Sequence, residues 1–512
     1  MPDWSSGYVA DIGYTYGAYT ELNPLRVKLA FLNAGLVFPE SGTACELGFG
    51  QGLSTNIHAA ASVTEWSGTD FNPAHAGAAQ ELASASGVNA RLYDQAFAEF
   101  CTRDDLPEFD FIGLHGIWSW VSDEDRTTIV DFVRRKLKVG GVLYVSYNVL
   151  QGWASMVPVR EVMTEFSQVM AATGQHTLSK VDGAVAFMQS LIEQSPAFAA
   201  ANPTIKNRLE QIKGVNRNYV AHEYFNRNWT PMPFSAMAKW LEPAKLDFAC
   251  SAHYLDHLDF VHFNEEQRKI LNDIDNPSFR QTVRDFMINQ QFRKDYWVRG
   301  ARKLRPVQAQ ELMLAQRVVM TMRAEDVKLE QTVSSKTITL NREVYQPIVD
   351  LMANYKVRTV GQIVEHCSSN TSTASQICQA VFILASINVL EAAQDEQSVE
   401  KAKAQTEKLN RQICTMARDS ADIANLASPV TGGQVTVDRF QQLFLLGRAQ
   451  GGKNAKDWAA FANRCLKDNN QRVNVDGKPA ENEQQQLAEL ERVAAIFERD
   501  RLPLLAALMA VF

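Results

Sequence analysis

The sequence lacks the features that mark several classes of protein. Its seven cysteines are far apart and form no C-x-x-C pair, so the sequence predicts neither a disulfide framework nor a zinc or other metal site. No uncharged apolar run reaches the roughly 20 residues that a membrane-spanning helix needs. The first residues show no basic stretch followed by an apolar one, so we expect no signal peptide. A soluble, cytoplasmic protein is therefore the expectation.

Excess positive charge is also lacking. The chain has 51 Lys and Arg residues against 58 Asp and Glu residues, a net charge of −7. Non-specific binding to nucleic acid depends on clustered cationic side chains that contact phosphates. We therefore expect no nucleic-acid partner.

From about residue 25 to 150, short β-rich runs alternate with helical ones, which predicts βαβ units and a parallel sheet. The predicted strands are Thr43–Leu47, Glu65–Asp70, Ala90–Tyr93, Phe109–His115 and Gly141–Tyr147. Two later strands, Asp247–Ala252 and Tyr296–Val298, are expected to complete this sheet. Helical stretches are predicted over 156–215 and Glu265–Asn289, and a helix over Phe234–Leu246. We predict an α/β core over 1–155 and, over 156–300, a helical insertion that covers the site.

The remaining region, 301–512, is predicted to be mainly helical. A strand at Ser335–Leu340 and three helices at Arg342–Tyr355, Thr359–His366 and Ala374–Ile387 resemble a winged helix, with Thr359 as a helix N-cap. No Lys or Arg occurs from 359 to 400, so packing or dimerisation is favoured over DNA recognition. Polar loops are predicted at Ser428–Gly433 and Asn469–Asn482.

A glycine-rich turn follows the first predicted strand, in the segment ACELGFGQG that ends at Gly52. Gly48 and Gly50 allow a ligand to approach the backbone closely. Glu46 precedes them, where it can face a cationic amino group. The third glycine comes too early for the G-x-G-x-x-G spacing of dinucleotide-binding folds. This pattern favours S-adenosylmethionine (AdoMet); a purely structural turn and a dehydrogenase are the alternatives.

Polar residues also end the next two predicted strands. Asp70, followed by Phe71, is placed to accept hydrogen bonds from ribose hydroxyls. The alternative is a cap for the helix that begins after Asn72. Asp94 and Gln95 are placed to meet an adenine amino group, with a surface loop as the alternative.

The fourth predicted strand ends at His115 and Gly116, at the carboxyl edge where open α/β sheets bind ligands. Trp118 and Trp120 follow at once. Aromatic faces attract cations such as the AdoMet sulfonium by about 0.5–2 kcal/mol. Core packing of these tryptophans is the alternative.

Candidate acceptor residues come from two further segments. Tyr147 and Asn148 end the fifth strand, and we expect them to offer a hydroxyl and a carbonyl to the incoming nucleophile. His222 and Glu223 lie in YVAHEYF, which is interpreted as a shaped loop because prolines follow it. This loop is predicted to face the methyl acceptor; an ordinary polar connection is the alternative.

The stretches ELGFGQG, HGIWSWV, YVSYNVLQGW, AHEYFNRNW and NQQFRKDYWVRG occur in this order. Over roughly residues 8 to 300 the chain thereby resembles class I methyltransferases that carry a methyltransferase regulatory domain. The best understood members methylate lysine side chains of bacterial surface proteins. The resemblance implies a Rossmann-like AdoMet domain with the regulatory segment over the site, and a homodimer. The residues that fall on the family's cofactor pattern are Glu46, Gly48, Gly50, Asp70, Asp94 and His115.

The sequence departs from the family pattern at two places, and these departures leave the identity of the methyl acceptor open. Phe49 stands where many members have Cys, and the segment from Glu21 to Pro24 stands where members often have Thr-His-Pro. The leading hypothesis is a protein-lysine methyltransferase. The second is a methyltransferase of a small molecule or glycan, with His222 or His115 as a general base for a hydroxyl. The third is an AdoMet-binding module without catalysis that acts through its C-terminal half.

Overall fold

The structure is a computed structural model that describes residues 7–9, 12–40, 42–170, 172, 175–333, 336–369 and 372–512. Ser335, at the start of one predicted strand, lies outside these residues, and the strand is described over Lys336–Thr339.

A seven-stranded sheet forms the centre of the first 300 residues. Its strands are β1 (Thr43–Leu47), β2 (Glu65–Asp70), β3 (Arg91–Asp94), β4 (Phe109–Leu114), β5 (Leu137–Asn148), β6 (Leu246–Ser251) and β7 (Phe292–Arg299). Their order is β3-β2-β1-β4-β5-β7-β6. The first five strands of that order are parallel, and β7 lies antiparallel between β5 and β6. The predicted parallel sheet and its completion by two late strands are confirmed.

Helices flank the sheet and form the insertion. Those of the first part of the chain are α1 (Pro24–Asn33), α2 (Leu53–Ala61), α3 (Pro73–Ser86), α4 (Phe97–Phe100) and α5 (Asp123–Lys136). Those between β5 and β6 are α6 (Leu150–Trp153), α7 (Val157–Val169), α8 (Thr177–Glu193), α9 (Pro196–Ala201), α10 (Ile205–Lys213), α11 (Arg217–Tyr224) and α12 (Phe234–Leu241). Those between β6 and β7 are α13 (Asp259–His262), α14 (Glu265–Asn272) and α15 (Pro277–Met287).

One prediction for the insertion is wrong. The YVAHEYF segment is not a loop: it belongs to α11, which begins after Asn216, whose side chain accepts a hydrogen bond from the Asn218 backbone N–H. The helical stretch predicted over Glu265–Asn289 is confirmed as two helices, because Asn276 caps a new helix that begins at Pro277. Proline lacks the N–H that a continuous helix would need there.

The last region is helical, with short strands of which the sequence predicted that at Ser335–Leu340, described here as β10. Its helices are α16 (Pro306–Ala315), α17 (Arg342–Met352), α18 (Val360–Cys367), α19 (Ala374–Ser386), α20 (Glu396–Met416), α21 (Arg439–Ala449), α22 (Ala455–Asp468), α23 (Glu483–Ile496) and α24 (Leu502–Ala507). Its strands are β8 (Arg317–Met320), β9 (Glu330–Val333), β10 (Lys336–Thr339), β11 (Arg358–Thr359), β12 (Leu390–Ala392), β13 (Asn425–Ser428), β14 (Gly433–Thr436), β15 (Asn474–Val475) and β16 (Lys478–Pro479).

Three helices of this region, α17, α18 and α19, confirm the prediction, and the Thr359 side chain caps α18 by accepting a hydrogen bond from the Gln362 backbone N–H at 3.1 Å. The predicted loop at Ser428–Gly433 is the turn of an antiparallel hairpin formed by β13 and β14. Within the predicted loop Asn469–Asn482, β15 and β16 form a second, shorter hairpin.

The last region packs on the helices that flank the sheet. Helix α20 lies against α2 and α3. The Thr406 hydroxyl donates to the Ala60 carbonyl at 2.9 Å, and the Gln394 side-chain amide donates to the Ala61 carbonyl at 2.7 Å. Leu53 and Ile57 of α2 share one apolar cluster with residues of α20 and later helices. In the part of the chain that the structure describes, no helix is long and apolar enough to cross a membrane.

Candidate active site

The glycine-rich turn presents bare backbone at the carboxyl end of β1. Gly48, Gly50 and Gly52 have φ angles of +75°, +58° and +68°, a region that favours glycine. A Cβ atom on Gly48 would lie 2.4 Å from Cδ1 of Ile117, whereas on Gly50 the nearest atom would be Cδ1 of Tyr14, at 3.7 Å. The backbone at Gly50 therefore faces open space.

A cleft opens at this edge of the sheet, and the space in it and its mouth amounts to about 1250 Å³. Most of the residues predicted to bind the cofactor lie together on its walls. They are Glu46, Gly48, Gly50, Asp70, Phe71, Gln95, His115 and Gly116.

Two carboxylates lie near the glycine turn. Glu46 is buried, the Thr55 hydroxyl donates to it, and burial raises its pKa to about 7. Asp70 accepts hydrogen bonds from the backbone N–H groups of Gly50, at 2.9 Å, and Asn72, at 3.0 Å. The cap of α3 is Asn72 rather than Asp70, since the Asn72 side chain accepts from the Ala74 N–H. Asp70 thus fixes the turn and still faces the cleft.

His115, just after the end of β4, contacts two tyrosines. Its Nδ1 lies 2.7 Å from the Tyr144 hydroxyl, and its ring stacks on that of Tyr19 with centroids 3.5 Å apart. Burial lowers its pKa to about 3, so the ring is neutral at physiological pH. The neighbouring Gly116 N–H donates to the Ser146 hydroxyl at 2.8 Å.

A segment from the start of the chain, the N-terminal strap (residues 7–9 and 12–19), covers the cleft. Gly7, Tyr8, Tyr14, Thr15, Gly17 and Tyr19 of the strap line it. The strap is tied to the insertion, because the Val9 N–H donates to the Asn226 side chain at 2.9 Å and the Arg227 N–H donates to the Gly7 carbonyl at 3.0 Å. The cleft therefore lies between the sheet, the strap and the residues after α11.

Helix α11 brings His222 and Glu223 to the strap. The His222 ring lies 5.4 Å from that of Tyr8 and 4.9 Å from that of Tyr14, between centroids. Glu223 is partly buried, and burial raises its pKa to about 7. Burial is the main cause that raises the pKa values of Tyr8, Tyr14 and Tyr19, that of Tyr19 to about 12, and the charge of Glu223 adds to it. Glu223 is thus close enough to the strap tyrosines for its charge to act on them, but His222 and Glu223 are not among the residues that line the cleft.

Solved structures share this fold across nearly the whole chain. PKMT2 from Rickettsia typhi aligns with a TM-score of 0.70 and 15% identity, over 97% of this chain and 99% of that one. PKMT2 in complex with AdoHcy aligns with a TM-score of 0.69, also at 15% identity, over 94% and 98%. A sequence identity of 15% in these alignments shows a shared fold and nothing more.

Sequence comparison gives the family. Residues 216–299 match the family described as predicted methyltransferase regulatory domain. The uncharacterized protein sll1526 of Synechocystis is 36% identical over 510 residues, which are 99% of each chain. The chain belongs to the AdoMet-dependent class I methyltransferases that carry this regulatory domain.

The methyltransferase does not place every predicted residue at the cleft. The Tyr147 side chain is fully buried and its hydroxyl donates to Asp295 at 2.9 Å, so it does not reach an acceptor. Trp118 is buried too and packs edge-on against Trp240, which corrects its prediction as a face for the sulfonium. Trp120 lines the cleft instead.

Asp94 and Asn148 also differ from expectation. Asp94 is exposed and is not among the residues that line the cleft, whereas the next residue, Gln95, is. Asn148 is buried, and its side-chain nitrogen has no hydrogen-bond acceptor among the described residues. It therefore does not project freely over the edge.

The strap tyrosines of the methyltransferase were missed. They lie before the first predicted element, and their contacts with Phe71 and His115 join distant parts of the chain. The one signal in the sequence was the unusual density of aromatic residues in GYVADIGYTYGAY.

Proposed function

We propose that this methyltransferase methylates an amine, and that the amine is the side chain of a protein lysine. The observation that carries the proposal is the partly buried carboxyl of Glu223, next in α11 to His222, whose ring contacts the strap tyrosines Tyr8 and Tyr14. No hydrogen bond or ion pair to this carboxyl is found among the described residues. The fold is shared with PKMT2 of Rickettsia typhi, and the family that the sequence resembles has protein-lysine methyltransferases as its best understood members.

The residues on the cleft fit AdoMet, whose chemical contribution is a methyl group activated by a sulfonium. Glu46 suits its amino group, and the open backbone at Gly50 leaves room for its amino-acid part. Asp70 suits the ribose hydroxyls, as an acid at this strand end does in related folds. Phe71 and Gln95 suit the adenine. The complex of PKMT2 with AdoHcy supports AdoMet as the cofactor.

The strap tyrosines and Glu223 suit a lysine acceptor, because aromatic rings can attract its ammonium group and a carboxylate can take up its proton. Aromatic faces of Tyr8, Tyr14 and Tyr19 attract an ammonium by about 0.5–2 kcal/mol. A lysine ammonium, with a pKa of about 10.4 in water, must lose a proton before its nitrogen can act as a nucleophile. A carboxyl with a pKa of about 7, such as that of Glu223, takes up and releases a proton readily near neutral pH.

The test measures transfer of labelled methyl groups from AdoMet to lysine-containing peptides. In Glu223→Gln, we expect kcat to fall about 10²-fold or more, with AdoMet affinity unchanged. Glu210→Gln is the matched control, because Glu210 lies exposed on α10 and pairs with Lys213. Product formation at the wild-type rate in Glu223→Gln would overturn the role of Glu223. Label on hydroxyl groups but never on amines would overturn the acceptor class.

A small-molecule acceptor is the second candidate. The observation in its favour is the strap, which covers the cleft and narrows the approach for a folded protein. The version in which His115 acts as base for a hydroxyl is disfavoured, because a ring with a pKa of about 3 is a weak base. Small amines included in the same assay distinguish this candidate from protein lysines.

A further inference from the structure

The last residue of the strap is fixed through its backbone. The Tyr19 N–H donates to the Ser54 hydroxyl at 2.7 Å, and Nε2 of His58 lies 3.2 Å from the Tyr19 carbonyl oxygen. Burial lowers the pKa of His58 to about 4, so its ring is neutral and donates through Nε2. Both side chains belong to α2, the helix that starts at the glycine turn. The Tyr19 ring then stacks on His115 in the cleft.

A further contact comes from the far end of the chain. The side-chain nitrogen of Gln434, in β14, donates to the Ala18 carbonyl at 2.9 Å. Ala18 immediately precedes Tyr19, so this bond fixes the peptide group that joins the two residues. It comes from the C-terminal hairpin (β13 and β14 with their turn).

The turn of the C-terminal hairpin fits closely against the same part of the chain. The Asn23 side-chain amide donates to the Thr431 carbonyl at 3.2 Å. Gly432 has a φ of +65°, and a Cβ atom there would lie 2.4 Å from Cδ1 of Leu25. The hairpin is therefore built to meet the segment that follows the strap.

We propose that Gln434 is a positioning residue for AdoMet binding. The C-terminal hairpin holds the Ala18 carbonyl, and through it the Tyr19 ring on His115, so the last region of the chain sets the affinity of the cofactor cleft. This inference rests on the proposed role of the cleft as the AdoMet site. By this inference, the C-terminal half of the chain contributes to cofactor binding although it does not itself contact the cofactor.

The test measures the Kd of AdoMet by calorimetry and its KM and kcat, on the full chain. In Gln434→Met the donor is lost, and we expect a Kd and KM for AdoMet roughly three- to tenfold higher, with kcat at saturating AdoMet unchanged. Gln434→Glu keeps the shape and replaces the donor with an oxygen, so its effect should be at least as large. Gln434 is only partly buried, so both variants are expected to fold.

The matched control is Thr406→Val. The Thr406 hydroxyl donates to the Ala60 and Ala402 carbonyls, across the interface between α20 and α2, and makes no hydrogen bond to the strap or the C-terminal hairpin among the described residues. It should lower the melting temperature and leave the Kd unchanged. Wild-type affinity in both Gln434 variants would overturn this inference alone, as would an equal loss of affinity in Thr406→Val. Absence of AdoMet binding by the wild type would overturn the proposed cofactor site and this inference with it.

Discussion

Two glycines of the same turn allow the cofactor site to be separated from the fold. An alanine at either position must adopt a left-handed conformation, which costs about 1–2 kcal/mol. At Gly50 the added methyl has no atom within 3.6 Å and enters the cleft, since its nearest neighbour is at 3.7 Å. At Gly52 it would lie 2.3 Å from the Cβ of Ala79 and 3.1 Å from its Cα, so α2 and α3 must move apart. Overpacking of this kind adds about 1–3 kcal/mol.

We therefore expect Gly50→Ala to retain most of its stability and to lose AdoMet binding. Gly52→Ala should lose about 2–5 kcal/mol of unfolding free energy. Urea unfolding followed by tryptophan fluorescence measures the stability, and calorimetry with AdoMet measures the binding. Wild-type affinity in Gly50→Ala would refute the placement of the cofactor against this backbone. A wild-type urea midpoint in Gly52→Ala would refute the close packing of α2 on α3.

Three further outcomes are expected. Because burial raises the pKa of Glu46 to about 7, this carboxyl is protonated below pH 7 and loses its attraction for the cofactor amino group. The Kd for AdoMet should therefore rise up to about tenfold for each pH unit below 7, and calorimetry across pH should find no such dependence in Glu46→Gln. Asp70→Ala should weaken AdoMet binding about tenfold or more, since it loses a charged hydrogen-bond acceptor and the support of Gly50; unaltered affinity would count against a ribose contact. Tyr147→Phe should lower the free energy of unfolding, measured with urea, by about 1 kcal/mol, because the hydrogen bond to Asp295 is lost. Its kcat should equal that of the wild type, and a large fall in kcat would restore the catalytic role predicted for Tyr147.

The cofactor side of the site was predictable because it depends on local patterns. A short apolar strand followed by a glycine turn or an acid fixes where Gly50 and Asp70 lie, since the carboxyl ends of parallel strands share one edge. The prediction for Tyr147 failed on a local rule that was available. Successive side chains in a strand point to opposite faces, so Tyr144 and Ser146 reach His115 and Gly116 while Tyr147 points to the other face.

The acceptor side was less predictable because it is assembled from distant parts. Tyr19 reaches His115 only because the strap folds back over the sheet, and no pattern within the strap specifies that path. Glu223 was predicted to face the methyl acceptor, which stays a prediction, and it was placed on a loop because the prolines after it outweighed the cap at Asn216. The C-terminal hairpin was missed because its strands are only four residues long.

The bond between Gln434 and Ala18 joins residues 416 positions apart, and this has a consequence for synthesis. A ribosome releases the glycine turn, the sheet and the strap long before it reaches Gln434, which is one of the residues that hold the strap in place. Contacts of such long sequence separation form late and slowly. The nascent chain should thus expose an incomplete cofactor cleft until its last quarter emerges, and a prematurely terminated chain should bind AdoMet weakly even where its sheet has formed.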